Sequence, residues 1–400
     1  MISRVVVELK KGVYWVGAID WAARDFHDYV IPDGTTYNAY LIVDEKVALV
    51  DTVKHGFLDE MMMRVEEIID PARIDYVISN HTEMDHSGVI PWVMNRAKNA
   101  TVVATKTGEE GLKRYYKADW KFMTVGAGDE LTLGKKTLTF LPIPMLHWPD
   151  SMMTYLKEDK ILLSNDAFGQ HIASYERFDD EIDANELMRH VTSYFANILM
   201  PFTQLITRKL NEVEKLGIPI DMIAPGHGII WRGNPGAIIE AYLKWSSGAA
   251  ERRAVIVYDT MWHSTEKMAV AIAEGIMNEG VKVEIVKLRS AHMSDAVTKI
   301  LGAGALVVGS PTLNNGVFPT VAGFMSYLAG LKPQVKIGAT FGSYGWGGGA
   351  VKKLSSQITS MGIEMIEDGL EVKFLPDSDD IKSCIEFGRL IGRSVKEDFE

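Results

Sequence analysis

Apolar residues in this chain recur in short runs, and the spacing between runs changes character partway along. From Ala254 onward the pattern is regular. AVIVY at Ala254–Tyr258 reads as a buried strand, and the helical pattern Thr265–Met277 follows it. Further strand patterns lie at Val281–Leu288, Ala305–Gly309, Val335–Phe341 and Glu371–Phe374. Helical patterns near Ser294–Leu301, Pro319–Leu331 and Gly349–Met361 separate them, and Asp377–Val395 comes last. Strands alternating with helices over about 150 residues predict a doubly wound parallel sheet, which binds ligands at the carboxyl ends of its strands.

The earlier residues are richer in strands. Alternating patterns occur at Val5–Glu8, Val13–Val16, Ala39–Val43 and Val47–Val50, followed by a helix at Lys54–Ile69. Strand patterns return at Tyr76–Asn80, Thr101–Ala104 and Leu138–Pro142, which together predict a layered α/β sandwich. The small, polar stretch WSSGAAERR at Trp245–Arg253 suits a short linker, so the expected domains are 1–250 and 251–400. A length of 400 residues agrees with two domains. Internal repeats and low-complexity tracts are not evident.

Composition narrows the classes. Hydrophobic content of 47% and charged content of 24% exclude wholesale disorder. The single cysteine, Cys384, allows no intrachain disulfide and no cysteine-rich metal site. The opening MISRVVVELKKGVYWVG has no apolar run of signal or membrane length, so a cytoplasmic protein with no membrane partner is expected. Net charge is −11, which disfavours nucleic acid as a partner. The charge is uneven: residues 1–250 hold 26 basic and 35 acidic side chains, and residues 251–400 hold 16 and 18. Most of the first domain's excess is acidic surface, but some of its carboxylates are candidates to face a bound cation.

The sharpest chemical feature is NHTEMDHSG at residues 80–88, where His81, Glu83, Asp85 and His86 fall within six positions after an apolar strand. Carboxylates packed so tightly repel each other unless a cation intervenes. His147 in PMLHWPDS, Asp166 in ILLSNDAFG and His227 in IAPGHGII each follow a strand pattern. Singly, each is as well explained by structure. Together they add one ligand per strand end, giving four histidines and three carboxylates, which suits two ions.

In the later domain three loops lie at strand ends. The first holds Thr260, Met261, Trp262, His263, Ser264 and Thr265 before a helix, where hydroxyls and backbone amides can hold a phosphate without a basic residue. It contains neither GxGxxG nor GxxxxGK[ST]. The second holds Ser310, Pro311, Thr312, Leu313, Asn314, Asn315 and Gly316, and the third Ser343, Tyr344, Gly345, Trp346 and Gly347. Trp262, Tyr344 and Trp346 are candidates to stack on a planar ring.

The metal pattern resembles the metallo-β-lactamase superfamily, whose members carry HxHxDH followed by a distant His, an Asp and a final His. Glu83 replaces the middle histidine that zinc hydrolases of this fold keep, and a carboxylate there favours iron or manganese. Residues 252–395 resemble flavodoxin, although Met261, Trp262 and His263 make the phosphate loop an atypical copy. Together the two halves resemble the flavodiiron proteins, as do GTTYNAYLIVDEKVALVDTV, NDAFGQH and ILMPF.

That resemblance implies an N-terminal metallo-β-lactamase-like αββα sandwich followed by a flavodoxin-like sheet. It implies FMN, with its phosphate on Thr260, Ser264 and Thr265 and its ring between the 310–316 and 343–348 loops. It implies two non-haem irons, one held by His81, Glu83 and His147 and the other by Asp85, His86 and His227, with Asp166 between them. The implied activity is reduction of O₂ to water or of NO to N₂O. The implied electron donor is external, rubredoxin or reduced coenzyme F420 (F420H2), and the implied assembly is a head-to-tail homodimer or a dimer of dimers. His27, His171 and Tyr194 are candidate hydrogen-bond or proton donors, and ordinary buried polar residues explain them equally well. A di-zinc hydrolase with a flavodoxin-like accessory domain and an electron-transfer flavoprotein with a vestigial metal site are the alternatives.

Overall fold

The computed structural model describes residues 6–397. The chain forms two compact units, Met1–Tyr194 with Gln204–Leu243, and Phe195–Thr203 with Lys244–Glu400.

In the first unit a seven-stranded mixed sheet runs in the order Val7–Lys10, Val13–Trp15, Tyr40–Val43, Val47–Val50, Tyr76–Ile78, Thr101–Ala104 and Phe122–Thr124. The expected strand Val5–Glu8 begins outside the described residues, and from Val7 it is present. A second sheet follows the order Glu130–Thr132, Thr137–Pro142, Met152–Leu156, Ile161–Asn165 and Met222–Pro225. Val47–Val50 shows how the layers are built. Ala48 and Val50 point between the sheets, where they meet Phe140, Leu156 and Leu163 in one core. Val47 and Leu49 point the other way, into a core with Met61 and Val65 of the helix Leu58–Ile68. A strand covered on both faces needs apolar residues at every position, which is why VALV does not alternate with polar residues. On the far side, Phe168 packs against Tyr242 of the helix Pro235–Ser246, with ring centroids 4.8 Å apart. The result is the expected αββα sandwich. The expected helix Lys54–Ile69 opens as a tight turn at His55–Phe57 before Leu58–Ile68 begins.

The second unit is a parallel sheet in the order Lys282–Lys287, Glu251–Tyr258, Ala303–Gly309 and Ile337–Tyr344. The last position is shared by two short strands, Glu364–Met365 and Leu370–Lys373, which both pair in parallel with Ile337–Tyr344. The chain reverses direction across the sheet between Glu251–Tyr258 and Ala303–Gly309, the place where such folds open a ligand crevice. On one face the helices Ser264–Asn278 and Ser378–Glu397 touch backbone to backbone. A Cβ on Gly388 would lie 2.1 Å from the Ile272 carbonyl oxygen, so only glycine permits this approach. Among the described residues no helix is long and apolar enough to cross a membrane.

Candidate metal centre and flavin loops

Four strands of the first unit end at one edge, and each carries its chain into a loop bearing a candidate ligand. Tyr76–Ile78 leads to His81 through His86, Thr137–Pro142 to His147, Ile161–Asn165 to Asp166, and Met222–Pro225 to His227. The side chains form two groups. His81, Glu83, His147 and Asp166 bring ligand atoms within 4.8 Å of one another, and so do Asp85, His86 and His227.

Asp166 joins the two groups. Its Oδ2 lies 3.2 Å from His147 Nε2 and 3.6 Å from His81 Nε2. Its Oδ1 lies 3.0 Å from His86 Nε2 and 3.4 Å from His227 Nε2. One carboxylate oxygen therefore faces each group, the geometry of a bridge. Glu83 Oε2 is 3.3 Å from His81 Nε2 and 3.5 Å from His147 Nε2. Asp85 Oδ2 is 3.2 Å from His227 Nε2 and 3.6 Å from His86 Nε2.

The outer ring atoms are tied down, which aims Nε2 inward. His81 Nδ1 is 3.2 Å from Asp150 Oδ2, and His227 Nδ1 donates to the Thr36 carbonyl oxygen at 2.7 Å. Glu83 is held by its other oxygen, 2.5 Å from His27 Nε2.

Charge and burial conflict here. Burial pushes the His81 imidazole down, but hydrogen bonds to Asp150 and Glu83 outweigh it and hold it up to about 10. His86 is held up to about 10 against burial by Asp85 and Asp166, and His147 to about 9 by Asp166 and Glu83. Burial raises Glu83, Asp85 and Asp166, yet the imidazoles around them pull all three below the ordinary carboxylate range. Even so, both oxygens of Asp85, Oδ2 of Asp166 and Nε2 of His227 are buried and make no hydrogen bond among the described residues. Orphaned polar atoms are costly, and two cations would satisfy all of them. A mixed imidazole and carboxylate donor set suits iron.

In the second unit the three loops gather at the carboxyl edge of the parallel sheet. Thr265 Oγ1 and Ser343 Oγ are 3.0 Å apart, so the first and third loops meet. Thr260 Oγ1 is buried and has no hydrogen-bond partner among the described residues. Both features fit a phosphate seated at the start of the helix Ser264–Asn278. Asn314 and Asn315 both have positive φ, 49° and 56°, and turn Thr312–Leu313 back onto Gly316–Val317. This is the primed two-residue hairpin, whose left-handed positions favour asparagine. Trp262 and Trp346 are 85% and 94% exposed, which leaves both indoles free to cover a planar ligand or meet a partner.

Residues 35–228 match the family model described as ODP family beta lactamase, and residues 256–388 match the flavodoxin model. The chain is 48% identical over 395 residues to a nitric oxide reductase of Moorella thermoacetica, covering 98% of this chain and 99% of that one. It is 40% identical to the rubredoxin-oxygen oxidoreductase of Megalodesulfovibrio gigas, covering 96% and 97%. Among solved structures, the flavodiiron protein of Giardia intestinalis superposes with a TM-score of 0.95 at 34% identity, covering 98% and 97%. The chain belongs to the flavodiiron protein family.

The remaining candidates surround the metal groups of this flavodiiron chain. His27 and Asp28 form the tip of a hairpin between Asp25–Phe26 and Tyr29–Val30, and the His27 side chain is partly open to water. His171 is buried, with Nδ1 2.7 Å from Thr35 Oγ1 and Nε2 without a hydrogen-bond partner among the described residues. Its ring centroid is 4.6 Å from that of His227 and 5.1 Å from that of Tyr194. Burial, reinforced by His227, drives the His171 imidazole well below its ordinary value, so it is neutral. Burial raises the Tyr194 phenol well above its ordinary value, with Asp166 adding to the shift. Sequence reasoning does not single out Asp150, Thr36 or Asn38. Asp150 lies three residues after His147, the one local signal that could have marked it.

Proposed function

We propose that this protein reduces O₂ to water, NO to N₂O, or both, at a non-haem di-iron centre, with electrons relayed through FMN from an external donor. The observation that carries this reading is Asp166, one buried carboxylate aimed into two adjoining ligand groups with an oxygen left unsatisfied. The named relatives, a nitric oxide reductase and a rubredoxin-oxygen oxidoreductase, support both substrates and favour rubredoxin as donor over reduced coenzyme F420. In this reading His81, Glu83 and His147 would hold one iron, Asp85, His86 and His227 would hold the other, and Asp166 would serve both. The phosphate of FMN lies on Thr260, Ser264 and Thr265. The loop from Ser310 to Gly316 and the loop from Ser343 to Gly347 would hold its ring. The domains divide near residue 250, and the working form is a head-to-tail homodimer in the cytoplasm.

When bound, the iron pair and FMN together supply the four electrons that take O₂ to two waters with four protons, or the two that take two NO to N₂O and one water. The residues of the chain supply the setting. Glu83 and Asp166 give the site a carboxylate-rich shell, which would favour the ferric state of bound iron. His27 reaches both water and Glu83, a path for protons from solvent. His171 is neutral and free at Nε2, so it can hydrogen-bond a small ligand without adding charge, and Tyr194 backs it.

Metal and flavin content, measured with consumption of both gases using reduced rubredoxin, tests the proposal. Two iron and one FMN per chain with gas consumption are expected. Two zinc per chain with no consumption would refute it and favour a hydrolase.

A further inference from the structure

Asn38 lies behind the metal groups, and its side chain hydrogen-bonds Trp15, Thr36, Pro225 and Gly228 rather than a ligand side chain, so that its bonds converge on one ligand loop. It is fully buried, and every hydrogen-bonding capacity of its amide is used. Oδ1 accepts from Trp15 Nε1 at 2.8 Å and from Thr36 Oγ1 at 2.9 Å. Nδ2 donates to the carbonyl oxygens of Pro225 at 2.9 Å and Gly228 at 3.0 Å. The Asn38 backbone N–H donates to the Gly226 carbonyl oxygen at 2.8 Å. Thr36 completes the seam: the Gly228 N–H donates to Thr36 Oγ1 at 2.6 Å, and His227 Nδ1 donates to the Thr36 carbonyl oxygen.

The strip Pro225–Gly228 is thus gripped on both sides of His227, and the grip carries further. A Cβ on Gly226 would stand 2.7 Å from His86 Cε1, so the strip also bears on the His86 ring. Both imidazoles of the second ligand group therefore rest on a backbone segment that Asn38 holds. In the first group only Asp166 follows a strand bonded to that strip, through the Gly226 N–H donating to the Asn165 carbonyl oxygen at 2.6 Å; its other members do not rest on it. His81 is braced by Asp150, Glu83 by His27, and His147 follows a different strand. Aspartate cannot replace Asn38 at no cost, because it has no donor for the two carbonyls.

We propose that Asn38 is a positioning residue for one metal position alone: it sets the Pro225–Gly228 strip and thereby His227 and His86, while the His81–Glu83–His147 position stands without it. The proposal rests on the di-metal reading above.

Cobalt(II) titration of chelator-treated, flavin-loaded protein tests it, followed by absorbance. The parent is expected to take two equivalents, and fewer would overturn the di-metal reading itself. Asn38→Ala should keep one equivalent at parental affinity and weaken the other by about 10- to 100-fold, the usual range for a supporting partner. Anomalous scattering from cobalt-loaded crystals should place the retained ion by His81, Glu83 and His147. Two equivalents at parental affinity, equal weakening of both, or retention beside His227 would each overturn the proposal. Trp15→Phe is the second variant: it keeps an aromatic ring in that core and removes the Nε1–H donor to Asn38 together with part of the indole. It decides the matter if Asn38→Ala does not fold. Selective weakening of the same equivalent is expected, and weakening of neither or both would overturn the proposal.

Discussion

Thr260→Val should move two measurements in opposite directions. Thr260 is buried, and its hydroxyl oxygen makes no hydrogen bond among the described residues, while its backbone N–H donates to Asp259 Oδ1 at 2.7 Å. A buried hydroxyl left unsatisfied costs about 1–3 kcal/mol. Valine keeps the branched shape and replaces that hydroxyl with a methyl group. The flavin-free chain therefore loses a penalty and should be equally stable or more stable, by up to about 2 kcal/mol. For a unit of this size that corresponds to a rise of roughly 4–8 °C in the melting temperature at the upper limit. The holoprotein loses a hydrogen bond to a charged phosphate, about 1.5–3 kcal/mol. Converted to affinity, FMN should bind roughly 10- to 150-fold more weakly. Quenching of FMN fluorescence on titration of flavin-depleted protein measures the second effect, and calorimetry of the same sample measures the first. An FMN Kd unchanged within about twofold would refute the phosphate assignment. A clear fall in flavin-free stability would show that the hydroxyl had a structural partner after all.

Other tests follow from the metal groups. Glu83→His should lower iron per chain and slow oxygen consumption, because the replacement removes the carboxylate facing His81 and His147 and favours zinc; elemental analysis and an oxygen electrode check both, and a normal rate would contradict the role given to Glu83. Gly226→Ala should cost about 1–3 kcal/mol and reduce metal retention, since its Cβ would meet His86 Cε1 at 2.7 Å, and thermal melts with and without metal separate the two effects. His81 and His86 held up to about 10, and His147 to about 9, give a signed pH dependence. In the metal-free fold these raised imidazoles stabilise fully below about pH 6.5, and that stabilisation is lost as pH rises through about 9–10. A metal must displace the same protons, so its affinity and the rise in melting temperature on loading should both increase from about pH 6 to pH 9. A stabilisation by metal that falls over that interval would contradict the assignment.

The flavodoxin-like unit was the more legible half. Ala305–Gly309 is apolar throughout because both faces of a central parallel strand are covered, and such a run stands out between helical patterns. The extra short strand Glu364–Met365 was not legible, since two residues carry no period. In the first unit the hairpin at Asp25–Val30 leaves no sequence pattern for a similar reason: its strands are two residues long and it lies over the site rather than within a core. The ligand residues were legible where they crowd together, at His81 through His86, and where a strand pattern ran straight into a lone His or Asp.

What the sequence by itself determined was the inventory and its chemistry: four imidazoles and three carboxylates at strand ends, and hydroxyl and aromatic loops on a parallel sheet. These are local properties, carried by residue type and by the period of the neighbouring strand. What the tertiary structure alone decided was who stands behind whom. The Thr36 carbonyl that aims His227 is 191 positions away, Asp150 is 69 positions from His81, and Asn38 grips Pro225 across 187. Such partners are set by strand register and the stacking of two sheets. Shifting a strand by one residue turns every one of its side chains to the opposite face, and no pattern within the ligand loops reports which register the distant strand adopts.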